Sequence, residues 1–205
     1  MKKFATLAAA LAGCLLLISL LYAVVAMAAL RPDAYPQGPP FDEMAAELVA
    51  YLQGELADLS PSLFTQRERL HMADVLGLFQ GAKVLATAGC IGGLALAATA
   101  LVWGGRERLG HGLIYGFAVL AGLGAVIGLW AAIDFDGWFI AMHEMVFTND
   151  LWLLDPAESM LIRMLPTEFF MDRVLKIGGW FAAGAGLFVA VAAALRMPWG
   201  REQAS

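Results

Sequence analysis

From Phe4 to Leu30 the chain runs without a charged residue, and three further apolar runs follow, Val84 to Gly105, Leu113 to Ile133 and Ile177 to Leu195. Each is bounded by charge, glycine or proline. A helix rises 1.5 Å per residue, so about 20 apolar residues cross a hydrocarbon core of about 30 Å. The pattern therefore predicts an all-α membrane protein: a four-transmembrane-helix bundle with spans at about 4–30, 84–105, 113–133 and 177–195 in one integral membrane domain, 1–205. Two long connections remain, 31–83 and 134–176.

Their patterning differs. Arg31 to Pro40 is proline-rich and reads as an extended linker. Phe41 to Leu59 is amphipathic, with Phe41, Met44, Ala45, Leu48, Leu52 and Leu56 near helical spacing and Asp42, Glu43, Glu47 and Glu55 off that face, a helix for the membrane surface or the end of the bundle. After Ser60 and Pro61, Thr65 with Glu68 forms a capping box that opens a helix leading into the second span. On it His71, Asp74 and Leu78 share a face, and Asp74 could orient the imidazole. The second connection is too apolar for a solvated loop and too interrupted for a span. Its rings, among them Trp138, Phe139, Phe147, Trp152 and Phe169, suit headgroup depth, so it reads as an interfacial or re-entrant segment partly buried in protein.

Composition agrees with the membrane reading: 60% of residues are hydrophobic and 15% charged, with a mean hydropathy of +0.71, against about 25% charged in soluble domains. The net charge of -5 and the lack of a basic stripe exclude nucleic acid as a partner. Lys2, Lys3, Arg106, Arg108, Arg196 and Arg201 flank span ends on one side, which predicts cytoplasmic termini; the long connections, with every acidic residue except Glu107 and Glu202, then lie outside. Cys14 and Cys90 sit in apolar runs without a ligand partner and read as small buried residues, so neither metal nor cofactor is expected. Leu11-Ala12-Gly13-Cys14 imitates a lipoprotein processing box and Ala26-Met27-Ala28 a signal-peptidase site, but the long apolar run favours an uncleaved anchor. Glycines in the later spans, such as Gly93, Gly116, Gly128 and Gly184, allow close helix approach and serve an intramolecular bundle or a homo-oligomer equally.

The chemistry is carried by histidine. His143 follows Trp138-Phe139-Ile140-Ala141-Met142, a titratable group in an apolar setting, and His71 belongs to the other outer connection. Taken alone, His143 could be a structural histidine bonded to a carbonyl; two histidines on one side make an outer-face site. His111, beside Arg106 and Arg108, reads as an ordinary loop residue.

Two motifs resemble those of the lipoprotein intramolecular transacylase (Lit) family of bacterial membrane proteins. The first is Glu68-Arg-Leu-His71-Met72-Ala-Asp74-Val75, leading to Leu78-Phe79. The second is Phe139-x-x-Met-His143-Glu-x-x-Phe147-x-Asn149-Asp-Leu-Trp152-x-x-Asp155-Pro156, followed by Leu161-Ile162-x-x-Leu165-Pro166-x-x-Phe169-Phe170. Ala73, in place of a polar residue, and Ser159, in place of an acidic one, depart from the pattern and suggest a distant branch.

The resemblance implies an enzyme of the bacterial cytoplasmic membrane, acting on diacylated lipoproteins among membrane lipid. It would move the sn-2 acyl chain of a diacylglyceryl-cysteine to the N-terminal amine and leave the lyso-form. It makes His71 and His143 the catalytic pair, with Asp74, Met72, Asn149, Trp152, Asp155 and Arg163 as supporting or substrate-contacting residues. An acyl transfer within one molecule needs no enzyme nucleophile, in keeping with a sequence that has no Gly-x-Ser-x-Gly. Alternatives are a non-catalytic scaffold or transporter accessory with structural histidines, and a metal-dependent lipid hydrolase, for which no His-x-x-x-His spacing is found.

Overall fold

A computed structural model describes residues 2–198; Arg201 and Glu202 of the charge reading lie outside the described residues. Helix α1, Lys2–Ala29, takes up the first apolar run. A short 3-10 turn, Pro32–Ala34, interrupts the proline-rich linker, and α2 follows at Phe41–Gln53. This helix is shorter than its apolar pattern suggests. Gly54 adopts the left-handed conformation, φ 82°, and the N–H groups of Gly54 and Glu55 bond the carbonyls of Tyr51 and Ala50, a Schellman stop. Leu56, expected on the apolar face, is past that stop and exposed, whereas Met44, Ala45, Leu48 and Leu52 are buried.

Helix α3, Gln66–Ile133, begins at the expected capping box: Thr65 Oγ1 accepts the Glu68 N–H at 3.3 Å, and the Glu68 carboxylate accepts the Thr65 N–H at 2.6 Å. A straight helix of its 68 residues would be about 100 Å long. It is instead two helices joined at Gly105, whose φ of 75° and ψ of 173° open to a residue without a Cβ. The second arm resumes at once, so residues 106–112 form no loop. His111, expected there, is helical, with Nδ1 2.8 Å from the Glu107 carbonyl.

Asp134 separates α3 from α4, Phe135–Val146, and accepts the Gly137 N–H at 2.9 Å. Ser159 caps α5, Met160–Met164, and α6 is Thr167–Arg196. The last helix starts ten residues before the apolar run at Ile177, directly after Pro166, because Glu168, Asp172, Arg173 and Lys176 make its first turns too polar to stand out in hydropathy.

Helices α1, α3 and α6 are long and apolar enough to cross a membrane. Large apolar side chains such as Leu85, Val102 and Ile133 are more than 70% exposed, a surface suited to lipid rather than water. The chain is an all-helical membrane protein among its described residues.

Two compact units are present. Among the described residues, one draws on 2–22, 84–127 and 179–198. Its core is made of small side chains, Ala8, Ala9, Ala12, Ala100 and Ala192, with Leu109 and Leu113. A Cβ on Gly116 would collide with the Ala10 carbonyl, and Cys14 Sγ lies 3.6 Å from the Gly116 carbonyl, so backbone meets backbone here. Gly122, Gly124 and Gly128, by contrast, face no neighbour within 4 Å. The other unit, Ala23–Lys83 with Gly128–Gly178, has a core of larger side chains, including Tyr35, Met44, Leu48, Leu59, Phe64 and Met164.

Candidate active site

Helices of the second unit turn stripes of side chains toward a common cavity of about 600 Å³. Helix α3 contributes His71, Met72, Val75, Leu78 and Phe79, and α4 contributes Phe135, Phe139, Met142, His143 and Val146. Spacings of three and four within each set put one face of each helix on the wall. Val25 and Ala28 of α1, Leu48 and Leu52 of α2, Leu161 and Ile162 of α5 and the first turns of α6 add to it. The wall is overwhelmingly apolar, fit for a hydrocarbon ligand with a few polar points to orient it.

His71 and His143 come together on this wall. Their ring centroids are 6.3 Å apart, and both side chains are buried. Phe147 holds both, edge-on to His71 at 5.1 Å and tilted against His143 at 5.6 Å, while Trp152 packs on His143 at 5.0 Å. His143 Nδ1 lies 2.8 Å from the Phe139 carbonyl. A carbonyl only accepts, so Nδ1 carries the hydrogen and the neutral ring keeps its lone pair on Nε2. His71 Nδ1 is buried without a partner. The tautomer that leaves it bare places the hydrogen on Nε2 and strands no N–H.

Both histidines lie outside the apolar runs read as spans, and both are held in the neutral form. Burial pushes His71 down to about 4, helped by repulsion from His143 and opposed by Asp74. Burial also lowers His143, against the raising effect of the Phe139 carbonyl.

The supporting candidates divide. Met72 and Trp152 line the cavity. Asp74 does not orient His71 through a hydrogen bond: its Oδ2 accepts Asn149 Nδ2–H at 2.9 Å, and Asn149 Oδ1 in turn accepts the Leu151 N–H. These bonds tie the turn carrying Trp152 to α3. Asp155 accepts the Ala157 N–H at 2.8 Å, and Arg163 donates to the carbonyls of Ser159 and Ala157. Both fasten the loop before α5 and neither reaches the cavity wall. Among the described residues no group of three metal-ligating side chains is found.

The sequence model of the lipoprotein intramolecular transacylase Lit matches residues 4–170. The chain belongs to that family. Among solved structures it is similar to the membrane integral lipoprotein intramolecular transacylase Lit from Bacillus cereus, with a TM-score of 0.76, 23% identity and coverage of 95% of both chains. Two structures of that protein with one histidine replaced, by arginine and by alanine, match with TM-scores of 0.70 and identities of 24%, over 95% of this chain and 92% and 93% of theirs. Likeness at this identity concerns the fold. No curated protein matches the chain.

In this transacylase-family chain a second role of Glu68 and the place of Arg173 are not visible in the sequence. Glu68 was seen as a cap; it is also fully buried, and its Oε1 accepts Ser159 Oγ–H at 2.6 Å and Leu161 N–H at 2.8 Å, joining α3 to α5. Arg173 of α6 lines the cavity, with its guanidinium 5.0 Å from the Phe169 ring centre. The only sequence signal for Arg173 was its place three and four residues after Phe170 and Phe169, on the face those rings define.

Proposed function

We propose that this chain is a lipoprotein intramolecular transacylase that transfers the sn-2 acyl chain of an N-terminal diacylglyceryl-cysteine to the α-amine of that cysteine. The observation carrying this reading is a pair of buried, neutral imidazoles on the wall of an apolar cavity in a chain of that family. No serine or cysteine lines the cavity, and none is required: the nucleophile is the substrate's own amine.

In this mechanism the cavity takes up acyl chain and glyceryl backbone, so that amine and ester carbonyl meet within one bound molecule. Such orientation is worth up to roughly 7–11 kcal/mol of barrier. His143 Nε2 removes the proton as the amine nitrogen bonds to the carbonyl carbon. His71, through Nε2–H, donates to the developing oxyanion. When the carbon–oxygen bond to sn-2 breaks, His143 returns its proton to the glycerol oxygen. The products are an amide and a free hydroxyl, with no net proton change on the enzyme.

We further propose that the arms of α3 before and after Gly105 cross the membrane separately, giving four spans, with both termini cytoplasmic and the histidine cavity on the outer side. Outward-facing lipoproteins would reach it there.

Mass spectrometry of the N-terminal peptide of a reporter lipoprotein tests the activity, in a host without its own N-acylating enzyme. With the protein present, one acyl chain should shift from glyceryl to α-amine. His71→Ala and His143→Ala, verified as inserted and folded, should each lower transfer by about 100-fold or more. An unchanged diacylglyceryl peptide beside wild-type protein would overturn the assignment and favour a non-catalytic role.

A further inference from the structure

Among the described residues two buried side-chain polar atoms have no hydrogen-bond partner, His71 Nδ1 and Arg173 Nε. Both residues line the same cavity. An interfacial arginine ordinarily extends its head to water, yet the Arg173 side chain is only 19% exposed and its Nε is sealed from solvent. The residue sits on the cavity-facing stripe of α6, between Phe169, Phe170, Val174 and Ile177. The guanidinium carbon lies 5.0 Å over the Phe169 ring centre, a cation–π contact.

The charge of Arg173 already has a counter-ion: Asp172 Oδ2 lies 3.5 Å from one terminal nitrogen, and Lys176 shares that carboxylate at 2.8 Å. What Nε–H lacks is an acceptor rather than a negative charge. A buried N–H without one is costly, and a bound molecule that supplies one gains what the free protein forfeits. The ring contacts run from Arg173 through Phe169, Phe170 and Phe139 to His143, so three phenylalanine rings stand between the guanidinium and that imidazole. Arg173 is thus joined to His143 through three successive ring contacts and shares its cavity.

We propose that Arg173 is a positioning residue whose Nε–H receives a neutral carbonyl oxygen of the lipopeptide away from the bond that breaks, either that of the retained glyceryl ester or that of the cysteine. The inference rests on the transacylase reading for its ligand. It assigns α6 the task of holding the ligand at a second point, so that the acyl-bearing carbon is presented to the histidine pair in one pose.

The test uses the purified full-length protein in detergent with a synthetic diacylglyceryl-cysteine peptide, following O-to-N transfer by mass spectrometry. Affinity is measured separately for the N-acetylated peptide, which cannot react. Arg173→Gln is expected to raise KM and the dissociation constant of the blocked peptide about tenfold, with kcat within about threefold. Arg173→Lys, which keeps charge but not the planar fork, should recover less than half of the loss. A peptide with an ether in place of the retained ester identifies the acceptor. If wild type binds it about tenfold more weakly and Arg173→Gln weakens it no further, the ester carbonyl is the partner; if the variant still costs tenfold, the cysteine carbonyl is. Unchanged affinity in Arg173→Gln, or a fall in kcat alone, would overturn the proposal. Wild-type protein that binds the blocked peptide but transfers nothing would remove the transacylase reading and leave the Arg173 comparison standing.

Discussion

Two imidazoles in one apolar wall can do acid–base work only if they stay neutral where the substrate amine titrates. Burial depresses both, His71 to about 4. Carbon-13 NMR of histidine-labelled protein should therefore show His71 titrating well below its ordinary value of 6.5. The sign follows from proton counting: between about 6.5 and 4 the unfolded chain binds a proton that the folded one refuses, so this contribution to stability is complete above the window and fades as pH falls through it. The transfer rate should decline below about pH 8 with the amine, whose pKa is near 7.7–8. An inflection at 6.5 that His71→Gln removes would contradict the neutral assignment. Asp74→Asn offers a second check. Asp74 bonds to Asn149 rather than to His71, so kcat at neutral pH should change less than about fivefold, where an orienting carboxylate would cost far more. The histidines were legible only as a pair: His143, directly after the apolar run 138–142, could by itself be a structural histidine, and His71 on the other outer connection is what turns it into a candidate site. Asn149, Asp155 and Arg163 were not legible, since turn geometry alone decides that their partners are Asp74 and nearby backbone groups. Arg173 was hidden differently: a cation just before an apolar run looks like an ordinary flank anchor.

At the scale of elements, Glu68 joins the start of α3 to the start of α5. Burial works to raise its pKa, but hydrogen bonds from Ser159, Leu161 and Thr65 together outweigh burial and hold it below the ordinary 4.5. Its contribution is present above that value and is lost as pH drops through the depressed one. Glu68→Ala would leave Leu161 N–H and Ser159 Oγ without their acceptor and should cost about 3 kcal/mol in denaturant unfolding, with Thr65→Ala costing about 1 kcal/mol. Equal, small effects from both would mean that the cap is the whole of the role of Glu68. The cap itself could be read from Thr65 and Glu68, because a capping box is local chemistry. Its second function could not, because the partners are more than ninety positions away. Gly105 was read as a span end for the same local reason that it breaks α3. The start of α6 was missed because hydropathy is blind to a helix whose first turns are charged.

In the topology we propose, the outer segments face lipoproteins and the opposite ends of the spans face the cytoplasm. The orientation rests on Lys2, Lys3, Arg106, Arg108 and Arg196, which flank span ends in short segments, against long connections rich in carboxylates. It can be tested with single cysteines in a background where Cys14 and Cys90 are replaced by alanine. Gln37, Glu107 and Glu158 are exposed, so each accepts a thiol without burying it. In intact cells stripped of their outer barrier, a membrane-impermeant maleimide should label Gln37→Cys and Glu158→Cys. It should label Glu107→Cys only after permeabilisation. Because Gly105 parts the two arms of α3, labelling at Glu107 also reports whether the chain turns back there. If Gln37, Glu107 and Glu158 were all labelled from outside, the arms would not cross separately and the four-span topology would fall. If the pattern were inverted, the cavity containing His71 and His143 would open to the cytoplasm, where the N-terminus of a mature lipoprotein is not displayed, and the proposed substrate would have to be abandoned even with the histidine pair intact.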